Sequence, residues 1–190
     1  MVLALLLAAA PDPGYLQLIN GSPNTCGVPS ALWLQALGKQ KPTFAGRTGT
    51  NASLQDGFTA TKGVTGLEVV SPNCLQCHAG QLLGKTVLGL GNSQLDETVD
   101  PSAIAQFARG FLPPGKARTE VERFLRPISA VGPHIVTDTV GISSADDLAV
   151  VLMAHRDAKT LAWKETPEPA LDEEPPVPVD VPAWWLARDK

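Results

Sequence analysis

The chain has 190 residues, a size that suits one ordinary domain, and its formal charge of -4 at pH 7 leaves no basic footprint of the kind nucleic-acid binding needs. Seventeen glycines and 17 prolines against five Phe, four Trp and one Tyr predict a loop-rich fold with little aromatic bulk of its own. The opening MVLALLLAAAPDP has an apolar run closed by small residues, as a secretory signal does, although no Lys or Arg precedes it. That run is too short to span a bilayer, so residues 1–13 read as a signal-peptide remnant, with an apolar first helix as the alternative.

Two short apolar stretches, Tyr15–Ile19 and Ala31–Leu37, predict short helices on either side of the turn-rich GSPNTCGVP. From Pro42 to Asn73 the chain is rich in Gly, Thr, Ser and Asn, and only Leu67–Val70 reads as a strand or a helical turn. A loop of that length in one domain usually serves a function or wraps a ligand. The run GQLLGKTVLGLGN, residues 80–92, alternates glycines with Leu, Val and Thr and fits a short hairpin or ribbon.

Apolar periodicity then predicts three helices. Ile104, Phe107, Ala108, Phe111 and Leu112 recur at helical spacing until Pro113-Pro114-Gly115 stops them, and Val121, Phe124, Leu125 and Ile128 repeat the pattern. The third starts at Ser144, where Ser-x-x-Asp147 resembles a capping box, and carries Leu148, Val151, Leu152 and His155 on one stripe. Past Trp163 the acidic, proline-dense ETPEPALDEEPPVPVDVP cannot form a packed helix and reads as an extended strap. The Trp184–Trp185 pair that follows presents aromatic surface that calls for a core, so the natural protein is expected to continue.

The chemistry concentrates at Cys74, Cys77 and His78, which form Cys-x-x-Cys-His. Two cysteines three positions apart on one helical turn reach the two vinyl groups of a porphyrin and form thioethers, and the adjacent histidine is then held under the ring as proximal iron ligand. A tethered haem cannot dissociate even from a thin core, and it would supply the apolar body that the few aromatic side chains do not. Two rival readings stand beside this one. A redox dithiol normally sits at a helix start within a βαβ pattern, which the chain does not show. A structural zinc would need a second ligand pair, and Cys26 with His134 or His155 makes poor spacing. Cys26 otherwise reads as a small buried hydrophobe.

The run Asn73–Gly80 (NCLQCHAG), the Gly-Leu-Gly-Asn92 that follows, His155-Arg-Asp157 with Thr160-Leu-Ala-Trp163, and the closing Val181-Pro-Ala-Trp-Trp185 together give a resemblance over most of the chain. They resemble the di-haem c-type cytochromes related to bacterial cytochrome c peroxidase and to rubber-oxygenase-like proteins. Proteins of that kind are similar to two cytochrome-like domains in tandem, each with its own Cys-x-x-Cys-His, and only one motif is present here. The resemblance therefore implies a first haem domain and the start of a connection to a second. It also implies that Trp184 and Trp185 lie near the haem and help pass an electron to the second haem, although packing is the commoner use of such a pair.

The expectation is a mainly α fold, a cytochrome c-like helical domain with long loops around one covalent haem c. Residues 14–165 would form that domain and residues 166–190 a Pro-rich strap toward a second one. Its function would be that of the redox domain of a di-haem oxidoreductase, peroxidase- or oxygenase-like, with a second haem domain or a redox protein as partner. The alternative is a stand-alone single-haem electron carrier without catalysis. Because this attachment chemistry operates outside the bacterial cytoplasmic membrane, a periplasmic or secreted location follows, with no stable membrane span. For the sixth iron position, Met153 falls on the face of Asp146, Ala149, Val150 and Asp157, His134 follows Gly132-Pro133 in a loop, and His155 suits a helix end. The resemblance implies that the first haem is the reactive one, and with it a distal site that is open or water-bound.

Overall fold

The computed structural model describes residues 11–102, 112, 114–171 and 177–185. The expected signal remnant over residues 1–13 and the expected helix over Ile104–Leu112 lie almost wholly outside these residues. Helix α1 (Pro13–Asn20) begins where the Asp12 carboxylate accepts a hydrogen bond from the Tyr15 N–H at 3.0 Å, with proline in the first turn, where its missing N–H costs nothing. It delivers Ile19 to the core. Helix α2 (Ser30–Leu37) follows the two-residue strand β1 (Val28–Pro29), so both early helices lie where their apolar stretches predict.

The segment between Pro42 and Asn73 is more ordered than its composition suggests. Phe58–Lys62 (β2) and Glu68–Pro72 (β3) pair antiparallel, and β1 joins the other edge of β3, with Val70 opposite both Val28 and Ala60. Val69, Val70 and Ser71 are consecutive and all fully buried; because successive strand residues point to opposite faces, both faces of β3 are covered. Arg47 braces this region from within. It is buried, with Nε donating to the Asn51 carbonyl, Nη1 to that of Asp56 and Nη2 to that of Phe58.

One helical turn, α3 (Leu75–His78), leads into the hairpin of β4 (Ala79–Leu82) and β5 (Lys85–Leu88). Helix α4 (Lys116–Val131) turns Val121 and Leu125 inward beside Leu112, Phe124 and Ile128. It is tied to the β2–β3 turn by Glu120, which is fully buried and accepts the Thr65 N–H at 2.6 Å. Gly63 makes that possible, since a Cβ there would lie 2.6 Å from the carboxyl group. Helix α5 (Ala145–Ala154) closes a second cluster through Val151, which meets Val131 and Ile135. Two short strands, β6 (Ile142–Ser143) and β7 (Val179–Asp180), pair antiparallel, so the C-terminal strap returns to the body of the molecule.

The mainly α, cytochrome c-like expectation is therefore corrected: the described residues form an α+β mixture with three small antiparallel sheets. The helical pattern was visible because α4 and α5 are long enough to repeat it. β2 and β3 span five residues each and carry little period-two contrast, and burial on both sides of β3 removes the alternation that marks a half-exposed strand. The capping box at α5 is also absent. Ser144 is the N-cap residue but makes no side-chain cap, and its Oγ is buried without a partner. Asp146 and Asp147 in the first turn still complement the helix dipole.

Candidate cofactor site at Cys74, Cys77 and His78

The turn that carries the three residues is pinned at both ends. On the β3 side, Asn73 is buried, donates from Nδ2 to the Asp56 carbonyl at 3.0 Å, and accepts the Leu75 N–H on Oδ1 at 2.8 Å. Leu75, 1% exposed, roots the turn in the core. On the hairpin side, the Asn92 side chain donates to the Gln76 carbonyl at 2.8 Å, its N–H donates to the Cys77 carbonyl at 2.8 Å, and the Gly89 N–H donates to the His78 carbonyl at 2.9 Å. The His78 N–H closes the turn on the Cys74 carbonyl at 3.0 Å. The sequence motif is thus brought together as one rigid unit.

The two thiols are free and differ in surroundings. Cys74 is exposed, while Cys77 is half-buried and opens onto a cavity of about 420 Å³. Its walls are mainly apolar: Leu95 beside the motif, Phe124, Ile128 and Val131 from α4, and Leu148 and Leu152 from α5. Burial, aided by the Glu97 carboxylate and by Cys74, pushes the Cys77 thiol up to about 11. The dithiol reading lacks its usual setting, since the turn follows strand β3 of an antiparallel sheet and not the first strand of a βαβ unit. Nor do the described residues gather three or more His, Cys, Asp or Glu side chains in a group that could hold a metal ion, which removes the zinc reading from them.

His78 is half-buried and its imidazole is pushed toward the neutral form by burial, against a smaller opposing effect of the Pro182 carbonyl. Its Nδ1 is buried without a hydrogen-bond partner, and the Trp184 ring lies against it with centroids 4.5 Å apart. A neutral imidazole is the form that ligates a metal. Glu97, which sequence reasoning did not single out, also lines the cavity; burial raises its carboxyl pKa, hydrogen bonds from Ser143 and Ser144 oppose this, and its Oε2 is buried and unpaired. An isolated glutamate in a polar run carries no period or motif that would have marked it. Of the three motif residues Cys77 lines the cavity, while Cys74 is exposed beside it and His78 meets Trp184 and the Pro182 carbonyl; a flat apolar group tethered at the thiols would enter from the Cys77 side.

Two of the other residues weighed for iron are engaged elsewhere. Met153 is 65% exposed on the outer face of α5. His155 is buried as the C-cap of α5, with Nδ1 2.8 Å from the Lys164 carbonyl and its ring stacked on Trp163 at 4.8 Å. His134 is half-buried at the end of a short 3-10 turn, Gly132–His134, and Cys26 faces the same cavity as Cys77. No described helix is long and apolar enough to cross a membrane. No family model matches the chain, and neither the curated proteins nor the solved structures give a similar protein.

Proposed function

We propose that this chain carries one haem c, attached by thioethers from Cys74 and Cys77 to the two vinyl groups with His78 as proximal iron ligand, and serves as a redox domain of a peroxidase- or oxygenase-like di-haem oxidoreductase. The observation that carries the proposal is the opening of Cys77, within Cys-x-x-Cys-His, onto a mainly apolar cavity of about 420 Å³. When bound, the haem supplies the one-electron chemistry; the chain's own residues bind, orient and desolvate it. Asn73 and Asn92 hold the turn so that both thiols and the imidazole are presented together. Phe124, Ile128 and Leu148 give the cavity apolar walls.

The choice of a reactive haem over an electron carrier is supported by the sixth-ligand candidates. A carrier would use a second strong protein ligand. Neither His155 nor Met153 is among the residues that line the cavity beside Cys77: His155 caps α5 against Trp163, and Met153 turns outward. An iron with His78 as its one firm protein ligand takes exogenous ligands readily. The partner on this reading is a second haem domain or a redox protein, and the location is periplasmic or secreted.

The test is direct. Protein made in a host with cytochrome maturation factors and then denatured should keep one haem by mass, because thioethers survive unfolding. Cys74→Ala with Cys77→Ala should release it, and retention by that double variant would overturn the proposal. Ferric spectra should show a high-spin component that cyanide converts to low-spin. A purely low-spin spectrum that cyanide leaves unchanged and His155→Ala makes high-spin would instead assign His155 to the iron.

A further inference from the structure

We infer that the returning C-terminal segment is a clamp on His78, with Trp184 the positioning residue that fixes the plane of the imidazole; the consequence for iron rests on the haem reading above, whereas the clamp contact does not. The segment is joined to the motif by a continuous chain of backbone hydrogen bonds. The Gly89 N–H donates to the His78 carbonyl at 2.9 Å, and the Trp184 N–H donates to the Gly89 carbonyl at 2.8 Å. The side chain repeats this link, its ring 4.5 Å from that of His78 and tilted by 32°.

Glycines make the approach this close. A Cβ on Gly91 would lie 2.0 Å from the Val181 carbonyl oxygen, and one on Gly80 would lie 2.1 Å from that of Gly91. Three backbones are therefore layered without side chains between them: strand β4, the Gly89–Gly91 turn, and the strap. Gly89 also has φ of 79°, a left-handed conformation that few other residues adopt cheaply. Strap prolines lower the entropy lost when an extended segment is fixed on such a surface.

Why His78 needs a clamp follows from its hydrogen bonding. The ring of a ligand histidine is usually oriented by an N–H donated to a carbonyl or carboxylate. Nδ1 of His78 is buried without a partner, and the carbonyl that acts on the imidazole is that of Pro182, two residues before Trp184 on the same strap. The terminal torsion of histidine is broad and roughly two-fold, so the strap sets the ring's plane through two contacts, the Pro182 carbonyl and the Trp184 ring. Trp184 is the aromatic face placed against it, and the offset, tilted geometry is one that ring pairs favour. Fixing the imidazole plane fixes how a bound iron would be presented to it.

The full chain tests this in two states. With three histidines in the sequence, carbon-13-labelled histidine gives three ring signals. In haem-free protein, Trp184→Ala should move the His78 signal through loss of the ring current and lower its order parameter below about 0.6, leaving His134 and His155 unmoved. Trp184→Phe should restore most of the shift, and Trp184→Leu, which keeps apolar bulk but no ring face, should not. In haem-loaded protein, Trp184→Ala should spread the ferric electron paramagnetic resonance signal over more than one species while the haem stays attached by mass. An unchanged His78 signal in both the Ala and Leu variants overturns the clamp. Absence of haem from the wild-type chain would overturn the haem reading instead, and the carbon-13 signals alone would then decide the clamp.

Discussion

Cys74 and Cys77 sit three positions apart on one turn yet differ in environment: the first is exposed, and the second is buried enough that its thiol is pushed up to about 11. Since the thiolate is the nucleophile, haem-free folded protein at neutral pH should alkylate at Cys74 at least about tenfold faster than at Cys77. Denaturant should erase the difference, and equal rates in the folded chain would contradict the cavity around Cys77. Glu97 supplies a pH signature of the same cavity. Burial raises its carboxyl pKa above the unfolded value, so its stabilising contribution is complete below the unfolded pKa and is lost as pH rises through the folded one. Glu97→Gln should therefore gain stability relative to wild type between acid and neutral pH, read as melting temperatures across that range. A constant difference would mean that the carboxyl is not desolvated. At this scale the Cys-x-x-Cys-His pattern was legible, because its residue types and spacing lie within five consecutive positions. Glu97 was not legible as part of the site, because only the fold brings it to Cys77; Trp184 entered through the resemblance alone, and its contact with the His78 ring depends on the return of the strap.

Elements were legible in proportion to their length. Helix α4 repeats its apolar period over 16 residues, and α5 over ten, so Val121, Leu125 and Val151 were predicted inward and are buried. The β4–β5 hairpin was signalled by its glycines and β-branched residues. Strands β2 and β3 were hidden because their pairing depends on partners distant in sequence: β1 lies some forty residues before β3, and Glu120 reaches the β2–β3 turn from α4. The extended reading of the strap holds locally, and its return onto β6 and the Gly89–Gly91 turn could not be read from composition. That return makes a specific demand. Gly91→Ala would force its Cβ onto the Val181 carbonyl, an overpacking contact worth about 1–3 kcal/mol. Denaturant melts should show that loss together with faster hydrogen exchange at the Trp184 amide. Gly84→Ala, at a hairpin tip where a Cβ meets nothing within 4 Å, strains only a positive φ of 74° and should leave the Trp184 amide protected.

Over the whole molecule the cavity beside Cys77 is where distant parts of the chain meet. Asn24 and Cys26 come from the early loop, Leu95 from the stretch after the hairpin, Phe124 and Ile128 from α4, and Leu152 from α5. The clusters around Leu125 and Val151 lie next to it on the same helices, so what fills it also completes the packing of α4 against α5. The cavity is partly open to solvent, so a group seated in it removes apolar surface from water. Covering about 200 Å² of apolar surface, wall and porphyrin together, at about 25 cal/mol per Å² is worth on the order of 5 kcal/mol. For a chain of this size each kcal/mol moves the melting temperature by about 2–4 °C, so haem-loaded protein should melt on the order of 10 °C or more above haem-free protein. Calorimetry on the two forms of the same wild-type chain gives the comparison without a mutation. Melting temperatures within about 2 °C of each other, with the haem retained by mass, would put the porphyrin outside the cavity, and Phe124→Ala would then lower the stability of both forms equally.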